Sequence, residues 1–188
     1  MDFTEEELAK FPTLDEVEKE IETKCLHLRC PTATNTDILK NLWLNKDVRK
    51  FLGGTVADEN ILEKKLISLQ EHWCQHGFGQ WSVCKKETGQ IIGICGLHYS
   101  ENGLEQSYMF FPEFWSQGFA TEATFASLTY GFKILKLARV VAITQEANKN
   151  SCRLLEKIGM YHVNSLVRFD AKQRIYELTQ EQWRHHKK

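Results

Sequence analysis

Two stretches before residue 77 carry apolar side chains at helical spacing, and from Gly79 onward the period shortens to that of strands. Residues 36–50 place Leu39, Leu42 and Trp43 on one face and predict a helix, ended by Phe51-Leu52-Gly53-Gly54 because paired glycines favour a turn. Asp58 to His76 predicts a second helix through Ile61, Leu62, Leu66, Leu69 and Trp73. Ahead of both, Cys25-Leu26-His27-Leu28-Arg29-Cys30 alternates as a strand does and stops at Pro31. Residues 1–22 read as a helical appendage, since Thr4-Glu5-Glu6-Glu7 and Thr13-Leu14-Asp15-Glu16 both fit a capping box.

After Gly79, strands are predicted at Gln80–Cys84 and Ile91–Leu97, joined by a polar turn around Thr88-Gly89, and at Glu105–Phe111, ended by Pro112. An irregular loop leads to a helix from about Thr121 to Lys136 and a strand over Ala138–Ile143. A short helix over Ser151–Ile158 has Gly159 where a terminating residue belongs. Strands at Tyr161–Phe169 and Arg174–Leu178 flank a loop at 170–173, and Thr179-x-x-Gln182 caps a terminal turn. No repeat or linker interrupts this order, so residues 23–188 read as a single α/β domain.

Composition narrows the function classes. The chain has 188 residues, 42% of them hydrophobic and 26% charged, which suits a globular protein with a sizeable core. A formal net charge of −1 offers no field to attract nucleic acid or an anionic membrane. No apolar run approaches the roughly 18–20 residues that span a bilayer, and the acidic start Met-Asp-Phe-Thr-Glu-Glu-Glu lacks the features of a secretion signal, so a cytoplasmic location is expected. The 6 cysteines form no Cys-x-x-Cys pair and share no metal-ligand spacing with the 7 histidines; buried reduced thiols and no metal are expected.

Candidate chemistry concentrates between residues 105 and 136. Gly118 lets the backbone approach a ligand with no Cβ in the way, and Ala120 is nearly as small. The amides from about Gly118 to Thr121 are the unpaired donors of a helix N-terminus and, with the helix dipole, can bind a pyrophosphate without a lysine. Tight packing of a connection explains a lone Gly-x-Ala equally well. Gly-x-Gly-x-x-Gly and Gly-Lys-Ser/Thr are both absent, which excludes the Rossmann and P-loop readings.

The run Tyr108-Met109-Phe110-Phe111-Pro112-Glu113-Phe114-Trp115-Ser116-Gln117-Gly118-Phe119-Ala120-Thr121-Glu122-Ala123 resembles the acetyl-CoA motif of the GNAT superfamily, in particular the RimJ/RimL-like branch of ribosomal-protein N-terminal acetyltransferases. Asn148-Lys149-Asn150-Ser151 with Leu155-Glu156-Lys157-Ile158-Gly159-Met160 is a second match, and Gln90 to Leu97 resembles that branch's central hairpin. Ser116 stands where the branch usually has glycine, and Ser107 also replaces a common glycine.

The resemblance implies a mixed, strongly twisted central sheet flanked by helices, whose central strands splay apart to admit the pantetheine arm. Backbone of Met109, Phe110 and Phe111 would pair with that arm, Gln117, Gly118, Phe119, Ala120 and Thr121 would hold the pyrophosphate, and the Asn148 amide would contact the cofactor. For Phe110 and Phe111 core packing competes with that role; for Asn148, helix capping does. Glu105 is the candidate base, against an ordinary exposed strand glutamate, and Ser151 the candidate acid toward the departing sulfur, against helix capping. Leu155 occupies the position where many superfamily members carry a tyrosine acid. His72, His76 and His98 are further pocket residues on this reading.

The implied activity is transfer of an acetyl group from acetyl-CoA to a primary amine, a peptide N-terminus or a small molecule, by direct attack in a ternary complex. A non-catalytic acyl-CoA-binding or sensing module is the alternative. No nucleic-acid or membrane partner is expected, and the appendage is a candidate to pack across a homodimer.

Overall fold

In the structure, a computed structural model describing residues 20–32 and 35–186, Asn45 divides the first expected helix in two. Its backbone is extended (φ −74°, ψ 121°), and its side chain accepts from the Asp47 and Val48 amides, so it ends α1 (Thr36–Leu44) and caps α2 (Lys46–Arg49). Asparagine competes for nearby amides and is favoured at caps over helix interiors. Asp58 caps α3 (Glu59–His76) through the Asn60 and Ile61 amides, and Gly77 ends it. The appendage expected over residues 1–22 lies outside the described residues as far as residue 19. Ile21–Glu22 forms strand β1, paired antiparallel with β2 (Leu26–Arg29).

The remaining strands are β3 (Gln80–Lys85), β4 (Ile91–Ser100), β5 (Gly103–Phe110), β6 (Arg139–Gln145), β7 (Tyr161–Arg168) and β8 (Ala171–Thr179). Eight strands form one sheet in the order β1-β2-β3-β4-β5-β6-β8-β7. Neighbours run antiparallel except β5 and β6, which are parallel and share a single register pair, Glu105 with Val141. Beyond it the two strands part. The splay implied by the resemblance is therefore present, between these two strands.

The connections supply α4 (Phe119–Lys133), α5 (Lys149–Ile158) and α6 (Gln180–His186). The Thr179-x-x-Gln182 box is formed in both directions: the Thr179 amide donates to Gln182 Oε1 at 2.9 Å, and the Gln182 amide to Thr179 Oγ1 at 3.3 Å. The loop expected at 170–173 is shorter. Phe169 and Asp170, both at positive φ (53° and 52°), make a two-residue turn, and residues 171–173 join β8. Such a turn needs two left-handed residues, which Asn-Gly advertises and Phe-Asp does not. The Phe169 ring packs on Gly53, where an added Cβ would come within 2.9 Å of it.

Two apolar clusters fill the two faces of the sheet. The larger includes Leu97, Phe110, Ala142 and Tyr176 of the strands with Leu128 of α4 and Leu155 of α5. The smaller joins Leu39, Leu42, Leu62 and Leu66 to Ile94, with Met109 and Phe111 against them. The larger cluster thus lies under α4 and α5, and the smaller under α1 and the first half of α3. The cysteines form no disulfide among the described residues, but only Cys84, Cys95 and Cys152 are buried; Cys25 and Cys74 are exposed, which corrects the expectation for those two.

Ser116 is a further residue other than glycine held at positive φ. Ser116 has φ 59°, in the left-handed region where the matching branch residue is glycine. Ser116→Gly is expected to stabilise the fold by about 0.5–1 kcal/mol, less than the full left-handed penalty because glycine also gains freedom in the unfolded chain. Thermal unfolding checks it; an unchanged or lower Tm would show that the loop stores no strain there.

Candidate active site

Gly118 opens α4 with φ 88°, a conformation that side chains resist, and a Cβ added to it would meet nothing within 4 Å. The first intrahelical bond of α4 runs from the Glu122 amide to the Gly118 carbonyl at 3.0 Å. The amides of Phe119, Ala120 and Thr121 precede it and lie outside the helical ladder, at the positive end of the helix dipole. An anionic group fits here: open space over Gly118 and free donors beside it. The side chains around the amides are otherwise engaged. Gln117 Nε2 donates to Glu113 O at 2.7 Å, and Phe119 lies edge-on to Phe114 with ring centroids 6.4 Å apart. Glu122 accepts from Thr23 Oγ1 at 2.6 Å and from the Cys25 amide at 2.7 Å, tying the start of the sheet to the first turn of α4.

Strand register decides which main-chain groups face the gap between β5 and β6. The Phe111 amide donates to Ile92 O at 3.0 Å, and residues of β5 lie opposite those of β4 from Gly103/Ser100 to Phe110/Gly93. Antiparallel pairs alternate between bonded and non-bonded. Met109 and Ser107 therefore exchange their main-chain bonds with β4, whereas the main-chain groups of Tyr108 and Phe110 point toward β6. This corrects the assignment of Met109, whose main chain is used within the sheet, and adds Tyr108. The Phe110 carbonyl takes the Trp115 indole N–H at 2.7 Å, leaving the Phe110 amide and both main-chain groups of Tyr108 at the gap. Phe110 is also core, at 4% exposure, while Phe111 sits half-buried against the smaller cluster.

Side chains of β5 divide between the two faces by parity. Glu105, Ser107 and Met109 face the side of α1 and α3; Gln106, Tyr108 and Phe110 face α4 and α5. Gln106 accepts from Ser127 Oγ of α4 at 2.7 Å. Glu105 lies opposite His98 and in register with Val141, at the last point where β5 and β6 touch. It is not an ordinary exposed glutamate: burial pushes its carboxyl above the usual carboxylate range, against the opposing pull of a Ser100 hydrogen bond and the Arg168 charge, while Glu101 adds to the rise.

His98, the cross-strand partner of Glu105, shares its face. His98 Nδ1 bonds Ser107 Oγ at 3.2 Å, and burial lowers its pKa to about 4, so its ring is neutral near pH 7. His72 is structural. It bridges Phe78 O at 2.8 Å and the Tyr99 amide at 3.1 Å, which requires a neutral ring with the proton on Nδ1, consistent with a pKa of about 4. His76 lies edge-on to Tyr99 with ring centroids 4.8 Å apart.

On the opposite face Ser151, in the first turn of α5, bonds Tyr108 Oη through its hydroxyl at 2.8 Å. The capping role falls to Asn148, whose Oδ1 accepts the Ser151 amide at 3.2 Å. The Asn148 main-chain amide is itself taken by Gln145 O at 2.9 Å. Tyr108 was missed as a side chain. Its signal was available: a tyrosine on a strand face flanked by Gln106 and Phe110 goes to the interior, where its hydroxyl needs a partner.

A groove of about 800 Å³ runs from Gly118 and Thr121 along the outer side of α4 to Lys133 and Lys157. None of the residues lining it belongs to β5 or β6. No helix among the described residues is long and apolar enough to cross a membrane.

A parallel pair of strands thus parts beside a helix N-terminus, with a half-buried carboxyl on one face and paired hydroxyls on the other. Residues 26–161 match the acetyltransferase (GNAT) domain family, and the chain belongs to it. It is 30% identical over 160 residues to the Bacillus subtilis protein YkkB, covering 82% of this chain and 92% of that one. Over 161 residues it is 29% identical to the uncharacterized N-acetyltransferase p20 of Bacillus licheniformis, covering 83% and 90% respectively. Its fold is similar to that of spermidine N-acetyltransferase from Vibrio cholerae, solved in complex with CoA and spermine (TM-score 0.73, 19% identity, 86% of this chain and 99% of that one). The chain is thus an acetyl-CoA-dependent acyltransferase.

Proposed function

We propose that this protein transfers the acetyl group of acetyl-CoA to a primary amine, a protein N-terminal α-amine or a small-molecule amine, as a member of the RimJ/RimL-like branch. The observation that carries the reading is the separation of β5 from β6 just past Glu105, with the Tyr108 main-chain groups and the Phe110 amide on one wall and the Gly118 turn that opens α4 close by in the chain. The amides of Phe119, Ala120 and Thr121 would hold the donor's pyrophosphate, and the edge of β5 its pantetheine arm. The donor supplies an activated acetyl group; the protein positions it and manages charge.

Glu105 accepts the proton that the amine loses, directly or through a water. An α-amine, with an ordinary pKa of about 7.7–8, is already partly neutral at pH 7, whereas a lysine-like amine at about 10.4 depends more on this base. The Phe110 amide, aimed at the gap, stabilises the oxyanion that forms as the amine attacks. Ser151 faces the departing sulfur from the other side. Because Glu105 and Tyr108 project to opposite faces, the amine enters from the α1–α3 side and the thiol leaves toward α5.

Thiol release from acetyl-CoA, followed against peptides with free N-termini, a polyamine and an aminoglycoside, tests the reading. Release that requires one of these amines is the expected result, and the amine class that supports it identifies the acceptor. Acetyl-CoA binding without release by any amine would instead mark a sensing module.

A further inference from the structure

We infer that Tyr108 is a positioning residue for acetyl transfer, holding the Ser151 hydroxyl so that its proton is directed at the sulfur that leaves. The inference rests on the acetyl-transfer reading above and goes beyond it by bringing in a side chain on a different element.

The geometry is specific. Tyr108 contributes to the gap twice: its main chain borders it and its side chain crosses beneath it to the first turn of α5. Among the described residues, the 2.8 Å bond to Tyr108 is the hydrogen bond that the Ser151 hydroxyl makes. Asn148 is occupied with the Ser151 amide, so the hydroxyl is not spent on capping. The pair is part-buried, and a hydrogen bond is electrostatically stronger there than in open water. Burial raises the Tyr108 phenol above its ordinary value, and the neighbouring Cys95 and Cys152 thiols add to that.

Chemistry sets the direction of the bond. A phenol, with an ordinary pKa of about 10, is a stronger acid than an alcohol and so the better donor. Tyr108 donates to Ser151 Oγ, and the Ser151 hydrogen is left for another acceptor. During transfer the amine nitrogen bonds the acyl carbon, the carbon–sulfur bond breaks with its electron pair going to sulfur, and the amine proton passes to Glu105. A thiol of pKa near 8.5 leaves as a thiolate that neither a buried phenol nor an alcohol is acidic enough to protonate outright. Ser151 therefore donates a hydrogen bond to the developing negative charge, and solvent supplies the proton after departure. Both hydroxyl groups keep their protons throughout. The role of Ser151 is thus charge stabilisation in place of full acid catalysis, and that of Tyr108 is to keep the Ser151 hydroxyl from turning away.

The test compares kcat, KM for acetyl-CoA and Tm among the wild type, Tyr108→Phe, Ser151→Ala, Ser151→Thr and the Tyr108→Phe/Ser151→Ala pair. Tyr108→Phe keeps the ring packed and should lower kcat about tenfold, the equivalent of one hydrogen bond, with KM nearly unchanged. Ser151→Ala should lose at least as much, Ser151→Thr should recover part of it, and the paired variant should be no slower than Ser151→Ala alone. A purely structural Tyr108 would give losses that multiply. Full kcat in Tyr108→Phe, or multiplying losses in the pair, overturns the inference. Should Tyr108→Phe fail to fold, full kcat in Ser151→Ala overturns it equally, since no hydroxyl would then need aiming. A folded wild type that turns over no amine overturns the acetyl-transfer reading itself and this inference with it; turnover with an unaffected Tyr108→Phe overturns the inference alone.

Discussion

Gly118→Trp is expected to weaken acetyl-CoA binding in calorimetric titration by at least about 100-fold, roughly 2.8 kcal/mol, while the fold persists. Two physical effects act together. The backbone at φ 88° is strained for any side chain, and the open space over Gly118 is where the indole would project, across the free amides of Phe119 to Thr121. Strain alone must be separated from loss of the site. Gly89, in the turn between β3 and β4, provides the control: it too has positive φ (70°) and nothing within 4 Å of an added Cβ. Gly89→Trp should lower Tm by a similar amount and leave acetyl-CoA affinity unchanged. Equal affinities for the two variants would mean that the α4 N-terminus is only the shape of a loop.

Glu105→Gln is expected to lower kcat by about 100-fold or more, within the range for loss of a general base, with little change in KM for acetyl-CoA. The pH dependence carries the sharper signature. A base works only when ionised, so activity in the wild type falls as pH drops through the Glu105 pKa, and burial places that acid limb above the ordinary carboxylate range. Glu105→Gln should abolish the limb. Stability moves the opposite way. A carboxyl whose folded pKa is raised favours the fold while protonated, and that contribution is lost as pH rises from the unfolded value through the folded one. Glu105→Gln should therefore hold Tm steadier than the wild type across that window. A variant with full kcat and an unchanged acid limb would remove Glu105 from the mechanism and turn attention to His98, its neighbour across the strand pair.

Legibility differed between the two halves of the site. The Gly118 turn could be read in the chain because everything it needs is local: a residue free of a Cβ, followed by amides that a helix start leaves unpaired. Helix ends were readable for the same reason at Asp58 and at Thr179-x-x-Gln182, where the cap and its donors lie within three residues. Asn45 and the Phe169-Asp170 turn were not, since each depends on a competition between local options that packing settles; the Phe169 ring on Gly53 joins segments more than a hundred residues apart.

The sequence by itself determined the order of most elements, the Gly118 turn that opens α4 and the presence of a carboxylate strand and a serine-bearing helix start, because periodicity, capping and turn chemistry act over a few residues. Tertiary structure alone decided which amides of β5 face the gap, since a one-residue change of register exchanges Met109 for Tyr108 and Phe110. It alone decided that the Ser151 hydroxyl meets Tyr108, 43 positions away in the chain. Burial of Glu105 belongs there too, because desolvation is set by what packs over a carboxyl and not by the residues beside it in the chain.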